Sequence, residues 1–384
     1  MHSYPAMLHP LLVDYLIENF ASKDSVILDP FSGSGVTLLQ ASEHDIKSIG
    51  FDINPIALLI SIAKTKNYDI VMLEQEIEKI KQNISENNKS DIPNIKNIDY
   101  WYSKSAQNNL GRIRYVLLND EYKYRELFTV CFARVCREQS FTRAGEFKRY
   151  RIKPEKISEK NDKVIENYVK YLRESFKYIK DSCVSKENAT HILDSSENIR
   201  QYNLDYDLII TSPPYGDSRT TVAYGEFSSF ALDWINDLLR DMSINYNIDK
   251  MSVGKKQNIN KKIYKSIILQ HTLDKLLSKD VKRASDVENF FNEYFIILEK
   301  VLAGLKVNGL ACFVVGNRRV KEINIPMDQI TAEMMEICGM KVQEILVRDI
   351  LNKVMPSKNS PTNKIGESEN TMLSEYIIIA RKGL

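Results

Sequence analysis

The sequence predicts an α/β fold, an open and mostly parallel sheet with helices on both faces, and three observations carry this prediction. Residues 26–35 run from an apolar strand into a glycine-rich turn, and a helical pattern follows directly. A second short strand ends in Asp52. A third apolar run, residues 208–210, stops before two consecutive prolines, which cannot donate ladder hydrogen bonds. A strand, a tight glycine turn and a helix form the first unit of a Rossmann-like nucleotide-binding sheet.

The other elements follow from apolar periodicity and from breaking residues. We expect helices at residues 11–20, 36–43, 55–67 and 74–87, helical periodicity over 105–138 and 161–183, and strands at 25–28, 48–52 and 190–195. Connections between successive core strands are normally short, so roughly 120 residues between Asp52 and Asp194 represent an insertion.

The glycine-rich turn is typical of a site where the backbone approaches a ligand closely. Asp52, at the end of the next strand, is a carboxylate that can accept both hydroxyls of a ribose. The turn lacks GxGxxG spacing and the GK[ST] sequence of a phosphate cradle. These features favour an adenosine without phosphates over a pyrophosphate or a triphosphate.

The turn after residues 208–210 reads Thr-Ser-Pro-Pro-Tyr-Gly. It presents the Ser212 hydroxyl, the Pro213 carbonyl and the ring of Tyr215 around one small volume. Two acceptors and an aromatic plate suit a flat heterocycle that carries an exocyclic amine. From these residues alone, a turn that merely ends a strand and packs its tyrosine is an equally good interpretation.

The two turns together resemble a known family. The segments DPFSGSG at 29–35, FDINPIA at 51–57 and TSPPY at 211–215, in that order, are similar to motifs of the S-adenosylmethionine-dependent DNA amino-methyltransferases, which methylate exocyclic amines of DNA bases. The resemblance also covers the amino-terminal segment, residues 290–315 and residues 342–381. It leaves residues 66–185 and 217–285 unplaced, so about half of the chain is covered.

This resemblance implies a Rossmann-like methyltransferase sheet with large inserted, mostly helical recognition regions, and S-adenosyl-L-methionine as the cofactor. The residues that it implies for cofactor binding are Asp29, Pro30, Phe31, Ser32, Gly33, Gly35, Asp52, Asp194, Tyr4 and His9. The implied catalytic residues are Ser212, Pro213, Pro214 and Tyr215. For Asp194, a helix-capping role is an equally good interpretation.

The target base is predicted from the residue before the two prolines. In the resembling family a serine there usually accompanies cytosine methylated at N4, so Ser212 favours a DNA cytosine-N4 methyltransferase of a bacterial restriction-modification or related system. The amine is inaccessible in a duplex, so the base must be flipped out. Adenine N6 is the runner-up. RNA or protein glutamine as the substrate, and a non-catalytic DNA-binding specificity subunit, remain open alternatives.

The net charge is only +2, so the protein surface as a whole is not strongly basic. Binding of double-stranded DNA therefore requires local basic patches. Residues 134–153 carry seven basic residues against two acidic ones, with interleaved aromatics. Residues 250–283 carry ten basic residues against two acidic ones, and we expect a flexible loop along DNA there. The candidate DNA-binding residues are Arg143, Lys148, Arg149, Arg151 and Arg219.

These patches suggest a division of the chain. We expect residues 1–65, 186–216 and 286–384 to form the catalytic domain. Residues 66–185 are then a helical, partly basic insertion for target recognition, and residues 217–285 a basic insertion that contacts DNA. Because the chain ends in the strand-like EYIIIARK, we expect the recognition region to be internal.

Composition excludes several other classes. The chain is 43% apolar, but no run approaches the roughly 20 apolar residues that cross a bilayer, and no signal segment precedes the first helix. Five cysteines without a CxxC pair argue against a disulfide framework or a zinc site. We therefore expect a cytoplasmic protein without metal or membrane contact. The family resemblance, and not the composition, implies a cognate restriction endonuclease as a further partner.

Overall fold

The computed structural model describes residues 4–143, 148–158, 160–182, 187–216, 223–239, 248–254, 266–349, 358–359, 369–370 and 374–383. The strands are β1 (Val26–Asp29), β2 (Lys47–Asp52), β3 (Ala189–Leu193), β4 (Tyr206–Thr211), β5 (Leu305–Val315), β6 (Arg318–Val320), β7 (Ile323–Ile325), β8 (Met340–Asp349), β9 (Lys358–Asn359), β10 (Glu369–Asn370) and β11 (Ser374–Lys382).

The α-helices are α1 (Pro10–Phe20), α2 (Val36–Glu43), α3 (Pro55–Thr65), α4 (Ile70–Glu86), α5 (Ile98–Trp101), α6 (Lys104–Asn119), α7 (Arg125–Gln139), α8 (Pro154–Ile157), α9 (Val164–Lys180), α10 (Tyr224–Ile235), α11 (Ile248–Met251), α12 (Ile267–Leu277), α13 (Val281–Ala303) and α14 (Met327–Ile337). Two short 3-10 helices lie at Ser196–Tyr202 and Asn236–Leu238.

Seven strands form one sheet in the order β3-β2-β1-β4-β5-β11-β8. The five strands from β3 to β5 are parallel, and β11 runs antiparallel to both of its neighbours. The strand order reverses between β1 and β4. In open α/β sheets, ligands bind in the crevice at the carboxyl ends of the strands at such a reversal. The predicted Rossmann-like α/β fold is confirmed.

The central strands are buried on both faces, which explains why they read as continuous apolar runs. Alternate residues of β4 point to opposite faces, so Leu208 and Ile210 pack in the cluster that contains α1 and α2. Ile209 packs on the other face, with α12, α13 and α14. This arrangement places helices on both sides of the sheet.

The inserted residues 66–182 are mostly helical, as predicted, but they do not pack alone. Helices α4, α6, α7 and α9 share one apolar cluster with α3 and with α10. Trp234 of α10 is fully buried in this cluster. The insertion is therefore joined to the sheet through α3, which follows β2 directly.

The prediction of a flexible loop over residues 250–283 is wrong for its second half. Residues 267–277 form α12, and α13 begins at Val281. Leu269, Leu273 and Leu276 lie at helical spacing and pack in the apolar cluster that contains Ile209, α13 and α14. The burial of these leucines stabilises a helix although the surrounding sequence is rich in lysine. Residues 255–265 of the predicted loop lie outside the described residues.

Some further features concern only the part of the chain that the structure describes. None of its helices is long and apolar enough to span a bilayer. No group of three or more His, Cys, Asp or Glu side chains in this part is arranged to hold a metal ion. Cys131, Cys136 and Cys312 are buried thiols, Cys338 is partly exposed, and Cys183 lies outside the described residues.

Candidate active site

The glycine-rich turn between β1 and α2 is held in a shape that only glycine adopts easily. Gly33 and Gly35 have φ angles of +49° and +75°, in the left-handed region. A Cβ at Gly35 would lie 1.9 Å from the Ser61 hydroxyl of α3. The amide and hydroxyl of Ser32 donate to the carbonyl of Phe51 at 2.9 and 3.1 Å, which ties the turn to β2.

Asp52 ends β2 and faces the turn. One carboxylate oxygen accepts the Gly33 amide at 2.9 Å, and the other accepts the Asn54 amide at 2.7 Å. Burial raises the pKa of Asp52 to about 6. Each carboxylate oxygen has two lone pairs, so both can accept a further hydrogen bond from a ligand.

Asp29 has a different environment at the end of β1. Its carboxylate accepts the Phe31 amide at 3.1 Å and the Thr211 hydroxyl of β4 at 2.7 Å. The side chain is buried, and this burial raises its pKa to about 6. Asp29, at the end of β1, therefore connects the glycine-rich turn to the end of β4.

Asn54 connects three segments beside Asp52. Its side-chain oxygen accepts the Ile56 amide and so caps α3. Its side-chain nitrogen donates to the Tyr4 hydroxyl at 3.0 Å and to the Ser228 hydroxyl of α10 at 2.8 Å. The ring of Tyr4 stacks on that of Tyr224, with centroids 5.8 Å apart. The amino-terminal segment is thus fixed against α3 and α10.

The Thr-Ser-Pro-Pro-Tyr-Gly turn begins where β4 ends, next to β1. The Ser212 and Tyr215 hydroxyls are 3.0 Å apart and form a hydrogen bond. Tyr215 packs partly in the apolar cluster of the sheet face, and burial raises its pKa. A Cβ at Gly216 would lie 2.2 Å from Nη1 of Arg318, so a larger residue there would displace the flexible end of that side chain.

A cavity of about 280 Å³ lies between the two turns, at the carboxyl ends of the parallel strands. Of the predicted site residues, it is lined by Tyr4, Pro30, Phe31, Gly33, Asp52, Asp194, Ser212 and Pro214. Those that lie nearby but outside its lining are Asp29, Ser32, Gly35, Pro213 and Tyr215. His9 is exposed at the start of α1 and does not line the cavity.

Asp194 is positioned by the segment that follows β3. Its carboxylate accepts the Ser195 amide at 2.7 Å, the Asn198 side chain at 2.9 Å and the Tyr202 hydroxyl at 2.9 Å. The capping residue of the following 3-10 helix is Ser195, whose hydroxyl accepts the Glu197 amide. Asp194 therefore lines the cavity and also stabilises this short helix.

Several lining residues were missed by the sequence analysis. Asn54 belongs to the FDINPIA segment, so its place in that motif could have identified it. Most of the others come from α10, α13 and the segment that contains α11, and no feature of the local sequence indicates that these elements approach the sheet. They include Tyr224, Ile248, Met251, Val253, Glu293, Ile296 and Ile297. They give the cavity a largely apolar second wall, and with Asp52 this suits a ligand with a ribose and a flat apolar ring.

The first basic patch divides into two parts. Arg134 pairs with Glu138 at 2.9 Å, and Arg137 donates to the Phe227 carbonyl at 2.8 Å, so both support the packing of α7. Burial lowers the pKa of Arg137 to about 10. The rest forms a basic loop, residues 141–143 and 148–153, with a bridge between Thr142 and Arg151.

The candidate DNA-binding residues lie in this basic loop, with one exception. The guanidinium of Arg149 lies 5.0 Å from the ring of Phe230 in α10, and that of Arg151 lies 3.9 Å from the ring of Tyr100. Arg143 and Arg149 are exposed, while Lys148 and Arg151 are partly buried. Arg219 lies outside the described residues. The loop thus packs on the helix whose first residue, Tyr224, lines the cavity.

Comparison with known proteins identifies one family and several relatives. The N6/N4 DNA methylase family model matches residues 2–64. The chain is 32% identical to Type II methyltransferase M.MvaI of Kocuria varians, over 99% of this chain and 90% of that protein. It is 22% identical to Type II methyltransferase M.AvaI of Anabaena variabilis, over 97% and 83%. A solved SAM-dependent methyltransferase from Methanosarcina mazei aligns with a TM-score of 0.35 and 9% identity, over 99% of this chain and 100% of that one.

Proposed function

Because the chain belongs to the S-adenosylmethionine-dependent DNA amino-methyltransferases, we propose that it methylates N4 of a flipped cytosine in duplex DNA. The observation that carries this proposal is the position of Ser212, which lines the same cavity as Asp52 and Tyr4. Ser212 directly follows β4, which pairs with β1 next to the glycine-rich turn. An acceptor for the target amine and a site for the methyl donor then lie within one cavity.

S-adenosylmethionine is the cofactor of this family and supplies a methyl group activated by a sulfonium. In our proposal Asp52 accepts the ribose hydroxyls, and the glycine-rich turn lets the backbone approach the ligand. The apolar lining residues Ile53, Met251, Val253, Ile296 and Ile297 would pack against the adenine ring. Asp194, Tyr4 and the turn residues Pro30 and Phe31 complete the site. Asp29, Ser32 and Gly35 support the turn from outside the lining.

The target amine is a poor nucleophile because its lone pair is conjugated with the ring. We propose that the Ser212 hydroxyl and the Pro213 carbonyl accept hydrogen bonds from its two N–H groups, which favours a pyramidal nitrogen with an available lone pair. Pro214 keeps the turn extended. Tyr215 stacks on the flipped base. This stacking contributes about 1–3 kcal/mol and so offsets part of the free energy that base flipping costs. Positioning of the two reactants supplies most of the rate.

The choice of cytosine is tested by product analysis. The protein is incubated with duplex DNA and methyl-labelled S-adenosylmethionine, and the nucleosides are separated by mass spectrometry. We expect N4-methylcytosine. N6-methyladenine would replace cytosine by adenine as the target, and label in RNA or protein alone would overturn the substrate class. Cofactor binding without transfer to any substrate would indicate a non-catalytic subunit. A Ser212→Ala sample purified identically controls for contaminating host methylases.

The cellular setting is part of the same proposal. The relatives are named type II methyltransferases, which supports a role in a bacterial restriction-modification or related system in the cytoplasm. A cognate restriction endonuclease is then the expected partner, because methylation of its recognition sequence protects the host DNA.

We also propose that the basic loop contacts DNA phosphates. The triple variant Arg143→Ala, Lys148→Ala and Arg149→Ala should lower DNA affinity and flatten its dependence on salt. Each lost phosphate contact reduces the slope of log affinity against log salt by about 0.9, so the change should approach roughly 2.7. The measurement is fluorescence anisotropy with labelled duplex over a series of salt concentrations.

A second triple variant with the same charge change controls for net charge. Lys23 and Lys47 are exposed near the amino ends of the parallel strands β1 and β2. Lys341 is exposed near the amino end of β8, which runs in the same direction, so all three lie at the edge of the sheet away from the cavity. Their replacement by alanine should leave the slope near that of the wild type. Equal slopes for the two triple variants would assign the basic loop to the ordinary solvated surface.

A further inference from the structure

One wall of the cavity is built by a short segment that belongs to none of the sheet strands. Residues 248–254 contain α11 and the turn after it, and Ile248, Met251, Ser252 and Val253 line the cavity. Ile248 and Val253 are buried. The segment, which we name the cavity wall segment, therefore encloses the site without being part of its supporting sheet.

The cavity wall segment is fastened to α10 by Asp249. Its two carboxylate oxygens accept the Gly225 and Glu226 amides at 3.0 and 3.1 Å. These amides lie in the first turn of α10, where backbone donors lack partners within the helix and the helix dipole favours an anion. A Cβ at Gly225 would lie 2.5 Å from the Asp249 carboxylate, so glycine permits this approach.

The far end of the cavity wall segment is fastened to α13. The Gly254 amide donates to the Glu293 carboxylate at 3.0 Å, and Glu293 itself lines the cavity. Two carboxylates thus hold seven residues against the cavity. The Asp249 attachment differs in that its partner, α10, also carries Tyr224 of the lining and contacts the basic loop through Glu226, which accepts the Arg149 amide at 3.2 Å.

We propose that Asp249 is a positioning residue for cofactor binding, which retains the cofactor by holding the cavity wall segment closed against α10. The inference rests on the proposed function, in which this cavity binds S-adenosylmethionine. Loss of the two hydrogen bonds removes the attachment of the segment to the first turn of α10. The apolar wall formed by Met251 and Val253 is then held less firmly against the ligand. Cofactor release should become faster, while the residues that contact the ribose stay in place.

The test measures the dissociation rate of S-adenosylmethionine by stopped-flow displacement in the full-length protein. Asp249→Ala removes both acceptors, and we expect dissociation about tenfold faster, the order of effect of losing a helix-capping carboxylate. Asp249→Asn keeps one acceptor oxygen and should fall between this variant and the wild type. Steady-state kinetics should show a raised KM for the cofactor with little change in the KM for DNA.

The matched control is Asp69→Ala. Asp69 caps α4 by accepting the Met72 amide at 3.0 Å, and it does not line the cavity. It should lose a similar amount of thermal stability but keep the wild-type dissociation rate. Unchanged dissociation in folded Asp249→Ala and Asp249→Asn would overturn the inference, and so would equal acceleration in Asp69→Ala. A wild-type protein that binds no S-adenosylmethionine would overturn the proposed function itself, a result visible before any variant is made.

Discussion

Replacement of Ser212 by alanine should lower kcat for methyl transfer by about 100-fold or more, while cofactor affinity stays within about twofold of the wild type. The size follows from comparable losses when one group that stabilises a reacting centre is removed. We expect kcat to fall without a loss of cofactor affinity because the proposed contact of Ser212 is to the target amine of the base and not to the cofactor. Single-turnover transfer to duplex DNA and calorimetry with S-adenosylmethionine measure the two quantities separately.

Variants at Tyr215 separate its hydroxyl from its ring. Tyr215→Phe removes the hydrogen bond to Ser212, which is 3.0 Å long, but keeps the aromatic plate. Tyr215→Ala removes both and should also forfeit the stacking of about 1–3 kcal/mol. We therefore expect transfer to fall in the order wild type, Phe, Ala. Ser85→Ala on the exposed face of α4 deletes a hydroxyl far from the cavity lining and should have no effect.

Two results would contradict this assignment. If Ser212→Ala lost cofactor affinity as strongly as kcat, the hydroxyl would belong to the cofactor site. If kcat were unchanged, the amine would be held by other acceptors and the turn would only end β4.

The elements that could be predicted are those whose bounds are set by residues next to them in the sequence. β1, the glycine-rich turn, α2 and β2 are consecutive in the chain, and their boundaries agree with the prediction to within one residue, because each is set by neighbouring residues. The position of Asp52 beside the turn follows from strand pairing, since β1 and β2 are adjacent and parallel. Parallel strands bring their carboxyl ends to one edge of the sheet.

The second wall of the cavity could not be predicted, since it depends on contacts between distant segments. Glu293 lies 39 positions from Gly254, to which it is hydrogen-bonded, and no spacing in the sequence indicates that pairing. The lysine-rich composition likewise led to the prediction of a loop where the apolar face of α12 packs in the core. Charge describes the solvated side of a helix, whereas the leucines on its other side decide whether it packs.

A related difficulty applies to Asp29 and His9. Both lie in segments that resemble the family, and sequence position alone cannot separate a residue that contacts a ligand from one that supports the contact. The hydrogen bonds of Asp29 to Phe31 and Thr211 give it a supporting position under the turn. His9 begins α1, where its side chain is exposed and makes no capping hydrogen bond.

Replacement of Asp52 by asparagine should weaken S-adenosylmethionine binding by about 10- to 100-fold and remove its dependence on pH. Burial raises the pKa of Asp52 to about 6, so a ribose-binding carboxylate there becomes protonated as the pH falls through that value. The affinity of the wild type should then decrease below about pH 6, approaching tenfold per pH unit for one proton. Asp52→Asn should give a low and nearly constant affinity over the same range. Calorimetry from about pH 5 to about pH 8 measures both.

The contribution of Asp52 to folding stability has the opposite dependence on pH, which keeps the two effects of this one group distinct. The pKa of Asp52 is raised from 3.8 in the unfolded chain to about 6, so the folded protein takes up the proton more readily. This group, like Asp29, therefore contributes greater stability as the pH falls from about 6 toward about 4. A loss of wild-type affinity near pH 5.5 accompanied by unfolding would contradict this account, and so would an Asp52→Asn variant that keeps the wild-type pH profile, because the titrating group would then be another residue.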